Sequence, residues 1–272
     1  MSFFPQNAVA EGVNRKRNQR ILSAEVFRKK IRTAIRHECR ITGRLGVYVR
    51  SMSAQETLYA HRATKKAIPA SNMKLLTTAA ALRYLGPDYV FPTDVYMHGE
   101  IEGGDLFGDI YLKGYGDPSL VQERIRELAY SLYLKGIRRI SGDLVGDDSF
   151  FDSERFGKKW KARGSSKAYL APYSALAANF SIVRVLVDAG PKPGALARVQ
   201  LVPPSDAIGL KNTLRTASHR RRPRVLVRRR TGKARDWIHV SGQTPFRKGT
   251  GQYKVSVSDP SRFATGTFST FL

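Results

Sequence analysis

The sequence of 272 residues has one cysteine, few acidic side chains and no long apolar run. Because Cys39 is the only cysteine, an internal disulfide is excluded and packing alone must stabilise the fold. Without about 20 consecutive apolar residues, no helix is predicted to span a membrane. Residues 1–20 also lack an apolar stretch of signal-peptide length and include the basic run 15–17, which predicts a flexible basic tail.

The shortage of acids leaves a strong positive charge. Only 22 Asp and Glu oppose 47 Lys and Arg, which gives a net charge of +25. Nine of these cations fall within residues 220–235, where Val225–Val227, followed by Trp237–Val240, predict a hairpin. Such a surface attracts polyanions, here an anionic wall polymer or a membrane surface. It lacks the aromatic and glycine signatures of common RNA-binding folds, which argues against nucleic acid.

The remaining patterns predict a chain of mixed α and β structure. A cationic, amphipathic helix is predicted for Ile21–Arg40, followed by a hairpin of strands Gly46–Arg50 and Thr57–Ala60. Short strands with glycine-rich turns follow, together with a helix at Val121–Lys135 that ends at a glycine. Further strands are predicted at 108–113, 183–188 and 197–202.

One short motif carries chemistry. Ser71 and Lys74 form an S-x-x-K pair behind Pro69, at the start of a predicted helix with an apolar face. Residues three apart lie on one face of a helix, so the hydroxyl and the amine can converge. An ordinary capped helix would show the same spacing, because serine is common at helix starts.

The pair suits acyl transfer. A serine hydroxyl is a weak nucleophile at neutral pH and needs a base within hydrogen-bond reach. Lysine acts as that base only when it is neutral, a state that burial or a second cation favours. Free N–H groups in the first turn of the helix would stabilise an oxyanion. We therefore predict Ser71 as the acylated nucleophile and Lys74 as its base.

The residues around the pair resemble a known family. Residues 69–82 and Leu85–Tyr89 match the active-site segment of the class C penicillin-binding proteins, the D-alanyl-D-alanine carboxypeptidase/endopeptidase family. Further matches follow in the family's order at 108–114, 116–120, 136–152, 171–176 and 191–194.

The resemblance implies an α+β fold. It implies the N-terminal part of a serine β-lactamase/transpeptidase-like domain, followed by a strand-rich inserted domain region. We expect the tail at 1–20, the transpeptidase-like part with the S-x-x-K helix at 21–95, and the inserted region, as one or two subdomains, at 96–272.

The family's chemistry is hydrolysis of D-alanyl-D-alanine or cross-bridge peptides in peptidoglycan. The resemblance implies a serine acyl-enzyme that β-lactams trap, with no cofactor and no metal. It also implies a periplasmic or cell-envelope location, whereas the absence of a signal-peptide pattern leaves a cytoplasmic one open.

Two of the family's three motifs are missing. The resemblance implies S-x-N and K-T-G after S-x-x-K, and the sequence contains neither. Arg230–Gly232 imitates K-T-G but falls inside the predicted basic hairpin, where we expect a turn. We therefore expect a family member truncated after the inserted region. The alternative is a catalytically silent homologue that acts as a binding module, for example for anionic polymers.

Four aspartates between residues 143 and 152 imitate a calcium-binding loop. However, Val145 stands at an oxygen-ligand position and Asp148 at the position of the turn glycine. We predict turns at strand ends here rather than a metal site.

Overall fold

The computed structural model of the chain describes residues 24–37, 45–158, 160, 164–218, 222–246 and 249–272. The tail predicted at 1–20 lies outside these residues, as do Arg220 and Arg221 of the basic cluster. The chain forms two compact units, Met1–Pro87 and Asp88–Leu272. No helix within the described ranges is long and apolar enough to cross a bilayer.

Two helices and a hairpin make up the described part of the first unit: α1 (Ala24–His37), β1 (Val47–Arg50), β2 (Thr57–His61) and α2 (Met73–Leu85). The predicted cationic helix is confirmed for Ala24–His37, whereas residues 21–23 and 38–40 of that prediction lie outside the described residues. The predicted hairpin is also confirmed, since β1 and β2 pair antiparallel. The Arg28 Nε donates to the Leu58 carbonyl at 2.8 Å and links α1 to β2. None of the described residues in this unit is buried.

The second unit contains the other strands and two helices: β3 (Thr93–Glu102), β4 (Asp105–Gly114), α3 (Gln122–Leu134), β5 (Arg139–Ile140), β6 (Leu144–Asp147), β7 (Ile182–Asp188), β8 (Arg198–Val202), β9 (Ile208–Asn212), β10 (Arg215–Ala217), β11 (Arg224–Arg230), β12 (Asp236–Pro245), β13 (Gly251–Ser256) and α4 (Pro260–Ser269). One sheet has the order β3-β4-β5, with β6 also beside β4, and another has the order β13-β7-β8. In a further sheet β12 lies between β11 and the pair β9 and β10. The architecture is α+β, as predicted.

Local sequence explains several of these boundaries. Gly103 and Gly104 take φ of +56° and +93° in the turn between β3 and β4. Gly136, at φ +90°, ends α3, and the Ile137 N–H donates to the Leu132 carbonyl at 3.1 Å.

The domain boundary predicted at residue 95 lies within β3, which pairs along its whole length with β4.

The hydrophobic core belongs to the second unit. Its largest fully buried side chains include Phe263 and Phe268 of α4 and Ile125 of α3, which belong to the same cluster as residues of β4, β7 and β12. Full burial of such side chains stabilises the fold by about 1.5–3 kcal/mol each. The start of α4 is fixed by Asp259, whose carboxylate accepts the Arg262 N–H at 3.0 Å.

Candidate active site

Ser71 lies just before α2 and Lys74 in its first turn, where the pattern predicts a helix start. Ala70–Asn72 forms a single 3₁₀ turn, and the α-helix begins at Met73. Ala70 takes φ +44°, a left-handed conformation that residues with a Cβ rarely adopt. The residue directly before the predicted nucleophile is therefore strained, a feature that often accompanies functional positions.

Both side chains are exposed. The hydrogen bonds of the described residues include none between the Ser71 hydroxyl and the Lys74 amine. α2 buries none of its residues, and Leu75 and Leu76 are 72% and 65% exposed. The apolar residues of α2 are spread around the helix rather than confined to the single face that the sequence predicts, and the described part of the chain does not bury them. The burial that would favour a neutral lysine is consequently not supplied there.

A basic cavity of about 560 Å³ lies just before this segment in the first unit. It is lined by Leu45, Gly46, Arg62 and residues 65–68, which include two lysines. Neither Ser71 nor Lys74 lines it. Its cations can attract a carboxylate, but the cavity and the predicted pair do not share residues.

Three of the four aspartates that imitate a calcium loop take part in turns and ion pairs. Asp147 lies 3.0 Å from the Lys113 Nζ across paired strands β6 and β4. Hydrogen bonds from Ser149, together with Lys113, lower the pKa of Asp147 to about 2. The Asp152 carboxylate accepts the Glu154 N–H at 3.0 Å. Among the described residues, no three His, Cys, Asp or Glu side chains are grouped to hold a metal ion.

Asp148 has its own partners. Its carboxylate pairs with Arg155 and accepts the Ser174 Oγ hydroxyl at 2.6 Å. The side chain therefore connects the turn after β6 with two later loop segments.

The basic cluster forms the predicted hairpin of β11 and β12, and Arg230–Gly232 leads into its turn. Not all of its cations are on the surface, however. Arg229 is buried with Asp236, their side chains being 6% and 5% exposed. Its neighbours Arg228 and Arg230 are exposed on the opposite face of the strand.

Sequence reasoning missed the cations of neighbouring strands. Lys211 of β9 is paired with His239 of β12, which is paired with Arg228 on its other side. Because β9 and β12 pair in parallel and are distant in sequence, no local signal joins Lys211 to the cluster. The alternation of buried and half-buried residues along β12 does identify His239 as outward-facing.

The overall fold is similar to that of known penicillin-binding proteins. A crystal structure of penicillin binding protein 4 (dacB) from Haemophilus influenzae matches with a TM-score of 0.61 at 21% identity. The match covers 83% of this chain and 49% of that one. The same protein complexed with a novel β-lactam matches with a TM-score of 0.56 at 20% identity, over 85% of this chain and 48% of that one.

Residues 27–272 match the D-Ala-D-Ala carboxypeptidase 3 (S13) family, and the chain belongs to this family. A D-alanyl-D-alanine carboxypeptidase from Actinomadura sp. is 40% identical over 131 residues, 48% of this chain and 24% of that protein. D-alanyl-D-alanine carboxypeptidase DacB from Haemophilus influenzae is 26% identical over 157 residues, 58% and 33% of the two. The chain thus matches a quarter to a third of the length of these relatives.

Proposed function

We propose that Ser71 is the acylated nucleophile of a peptidoglycan D-alanyl-D-alanine carboxypeptidase of the cell envelope, with Lys74 as its base. The observation that carries this proposal is the S-x-x-K pair, with Ser71 in the 3₁₀ turn that leads into α2 and Lys74 in the first turn of α2. The pair is preceded by the strained Ala70 and lies within the region matched by the family. The relatives' named activity supports the substrate class.

The proposed reaction has two balanced steps. The Ser71 oxygen attacks the carbonyl carbon of the penultimate D-alanine while its proton passes to the Lys74 amine. The C–N bond to the terminal D-alanine breaks, and the departing amine takes that proton. Water then hydrolyses the ester and restores the hydroxyl. If the departing amine belongs to a cross-bridge, the same steps amount to endopeptidase activity.

The proposed reaction requires that other groups pack over Ser71 and Lys74 and exclude water. A neutral Lys74 and a stabilised oxyanion both need a site from which water is excluded. The exposed leucines of α2 fit a helix face that packs against further protein in the active state.

A fluorescent penicillin tests the assignment. We expect an adduct on Ser71, located by mass spectrometry of the labelled peptide, which disappears in Ser71→Ala and persists in Ser53→Ala, an exposed serine of the β1–β2 turn. Lys74→Ala should slow labelling by about 10²-fold or more, since positioned bases contribute at least that factor. An adduct that survives Ser71→Ala would contradict the proposal.

A catalytically silent homologue that acts as a binding module is the second candidate. It is favoured by the exposure of Ser71 and Lys74 and by the absence of S-x-N from the sequence. If the intact chain forms no adduct under conditions that label a known penicillin-binding protein, the silent candidate replaces the catalytic one.

A further inference from the structure

The hairpin of β11 and β12 presents a basic outer face. On β11, Val225 and Val227 pack towards the core, which turns Arg228 and Arg230 outward. On β12, Ile238 and Val240 are buried, so the residues between them face the opposite side. Five exposed cations share this outer face, called here the basic sheet face: Lys211, Arg215, Arg224, Arg228 and Arg230.

The strand register sets the spacing of these cations. Arg228 and Lys211 flank His239 on the two neighbouring strands, so their Cα atoms lie about 10 Å apart. Arg228 and Arg230 are two residues apart on one strand, a spacing of about 7 Å. The face therefore carries positive charges at regular spacings both along a strand and across the strands, which suits a polymer with repeated anionic groups.

On the described strands of this sheet, no acidic side chain shares the face with these charges. The facing positions of β9, β10, β11 and β12 contain no Asp or Glu, and none of the five cations forms an ion pair with another described residue. Burial lowers the pKa of His239, and the charges of Arg230 and Lys211 lower it further. Arg228 and Lys211 thus place positive charge on both sides of the histidine.

The indole of this face, Trp237, is already engaged. The Trp237 ring lies so close to Gly209 that a Cβ there would come within 2.6 Å of it, and the Lys211 Nζ lies 4.9 Å from the ring centroid. Binding of single-stranded nucleic acid relies on free aromatic faces for stacking. The face also exposes a single large apolar side chain, Leu226, which is little for a membrane surface.

We propose that the basic sheet face binds the peptide carboxylates of peptidoglycan and holds the protein on the wall through residues other than Ser71 and Lys74. The choice of peptidoglycan among polyanions rests on the proposed function. Its stem peptides carry carboxylates that repeat along the glycan, and guanidinium groups bind carboxylates in a bidentate manner. Several weak contacts on one polymer add up to firm retention.

Co-sedimentation with purified sacculi tests this proposal. The sacculi are treated with hydrofluoric acid to remove phosphodiester polymers, and the bound fraction is measured across a salt titration. We expect binding that weakens with salt, and a further loss of about tenfold in the triple variant Lys211→Ser, Arg228→Ser, Arg230→Ser, since each removed contact involves a charged group.

A matched control removes the same charge elsewhere. Arg184, Arg198 and Lys254 are exposed on β7, β8 and β13, where Asp188 and Glu123 lie near them. Their triple change to serine should reduce sacculus binding by less than about twofold. Equal loss in both triple variants would show that net charge alone is responsible and would overturn the proposal.

Three other results also overturn it. Binding only to untreated sacculi would identify a phosphodiester polymer as the ligand. Equally tight binding of an oligonucleotide, or of vesicles containing phosphatidylglycerol, would identify nucleic acid or membrane. Penicillin labelling of both triple variants keeps the two proposals separate: if labelling fails while binding follows the variants, the proposed function falls and the wall-binding face remains.

Discussion

At the scale of single residues, the most consequential contact is the buried pair of Arg229 and Asp236. The Arg229 Nε lies 3.8 Å from the Asp236 carboxylate and its other nitrogens donate to the carbonyls of Ser256 and Ser165, at 2.8 and 3.1 Å. Asp236 accepts the N–H and the hydroxyl of Ser258, at 2.8 and 2.6 Å. Burial lowers the pKa of Arg229, and Asp236 opposes that effect.

Replacement of Asp236 should therefore be costly. Asp236→Ala leaves a buried guanidinium without its counter-charge, and we expect a loss of about 3–5 kcal/mol in the free energy of unfolding, measured by urea denaturation. The control is Asp105→Ala, which removes a partly exposed pair with Arg139 and should cost less than about 1 kcal/mol. Similar losses for both variants would contradict the inward role of Asp236.

The inward direction of Arg229 was within reach of the sequence. Val225, Val227 and Arg229 alternate with Arg228 and Arg230, and strand periodicity places the first three on one face. Composition alone would place all the cations of residues 220–235 on the surface. The burial of its partner Asp236 could not be predicted, because a carboxylate next to a basic run is ordinarily exposed to solvent.

At the scale of elements, α2 differs from α3 and α4 in having no covered face within the described structure. We expect the double change Leu75→Ser and Leu76→Ser to alter the free energy of unfolding by less than about 0.5 kcal/mol, as is usual for exposed positions. Phe263→Ala in α4 is the contrasting variant and should cost about 3–5 kcal/mol. A loss above about 1 kcal/mol for the α2 variant would show that the leucines are packed.

The ion pair between Lys113 of β4 and Asp147 of β6 should make the free energy of unfolding decrease at acid pH. The pKa of Asp147 is about 2 in the folded protein, against 3.8 when unperturbed, because of Ser149 and Lys113. The stabilisation is complete above pH 3.8 and is lost as the pH falls towards 2. We expect Asp147→Asn to cost about 1 kcal/mol at neutral pH, and to cost nothing once the wild-type carboxylate is protonated. Urea midpoints measured across this range check it; a constant difference would contradict it.

Elements defined by local signals were predicted well, and those defined by distant partners were not. The hairpins β1–β2 and β11–β12 follow from strand patterns separated by turns. The parallel contact of β12 with β9 joins segments with no local relation. The exposure of α2 also differs from what its sequence predicts. Apolar residues at helical spacing predict that the helix is buried, but they do not indicate which part of the protein covers it.

At the scale of the whole molecule, the core that the described residues form lies in the second unit. Every member of the core cluster falls between Leu106 and Phe268. We expect residues 88–272, expressed alone, to keep their far-UV circular dichroism and to melt within about 4 °C of the intact chain, the shift that 1 kcal/mol produces in a domain of this size. A melting temperature that is much lower would show that the first unit contributes to the core.

Family membership was also accessible from the sequence. The ordered matches from Pro69 onward predicted the family, which the match over residues 27–272 confirms. The roles of Ser71 and Lys74 stay predictions, because the chain matches no more than about half of the solved relative's length. An acyl-transfer site also needs groups that stabilise the oxyanion and exclude water, which no local motif describes.

The packing of Trp237 has an optical consequence. The sequence contains two tryptophans, and Trp160 is 55% exposed, whereas Trp237 lies against the Gly209 backbone beneath the Lys211 ammonium. Indole emission responds to nearby charge, so an anion that draws Lys211 away changes the colour and yield of Trp237 fluorescence. In a Trp160→Phe variant, Trp237 would be the one tryptophan, and its emission would report directly whether an anion is bound to this sheet.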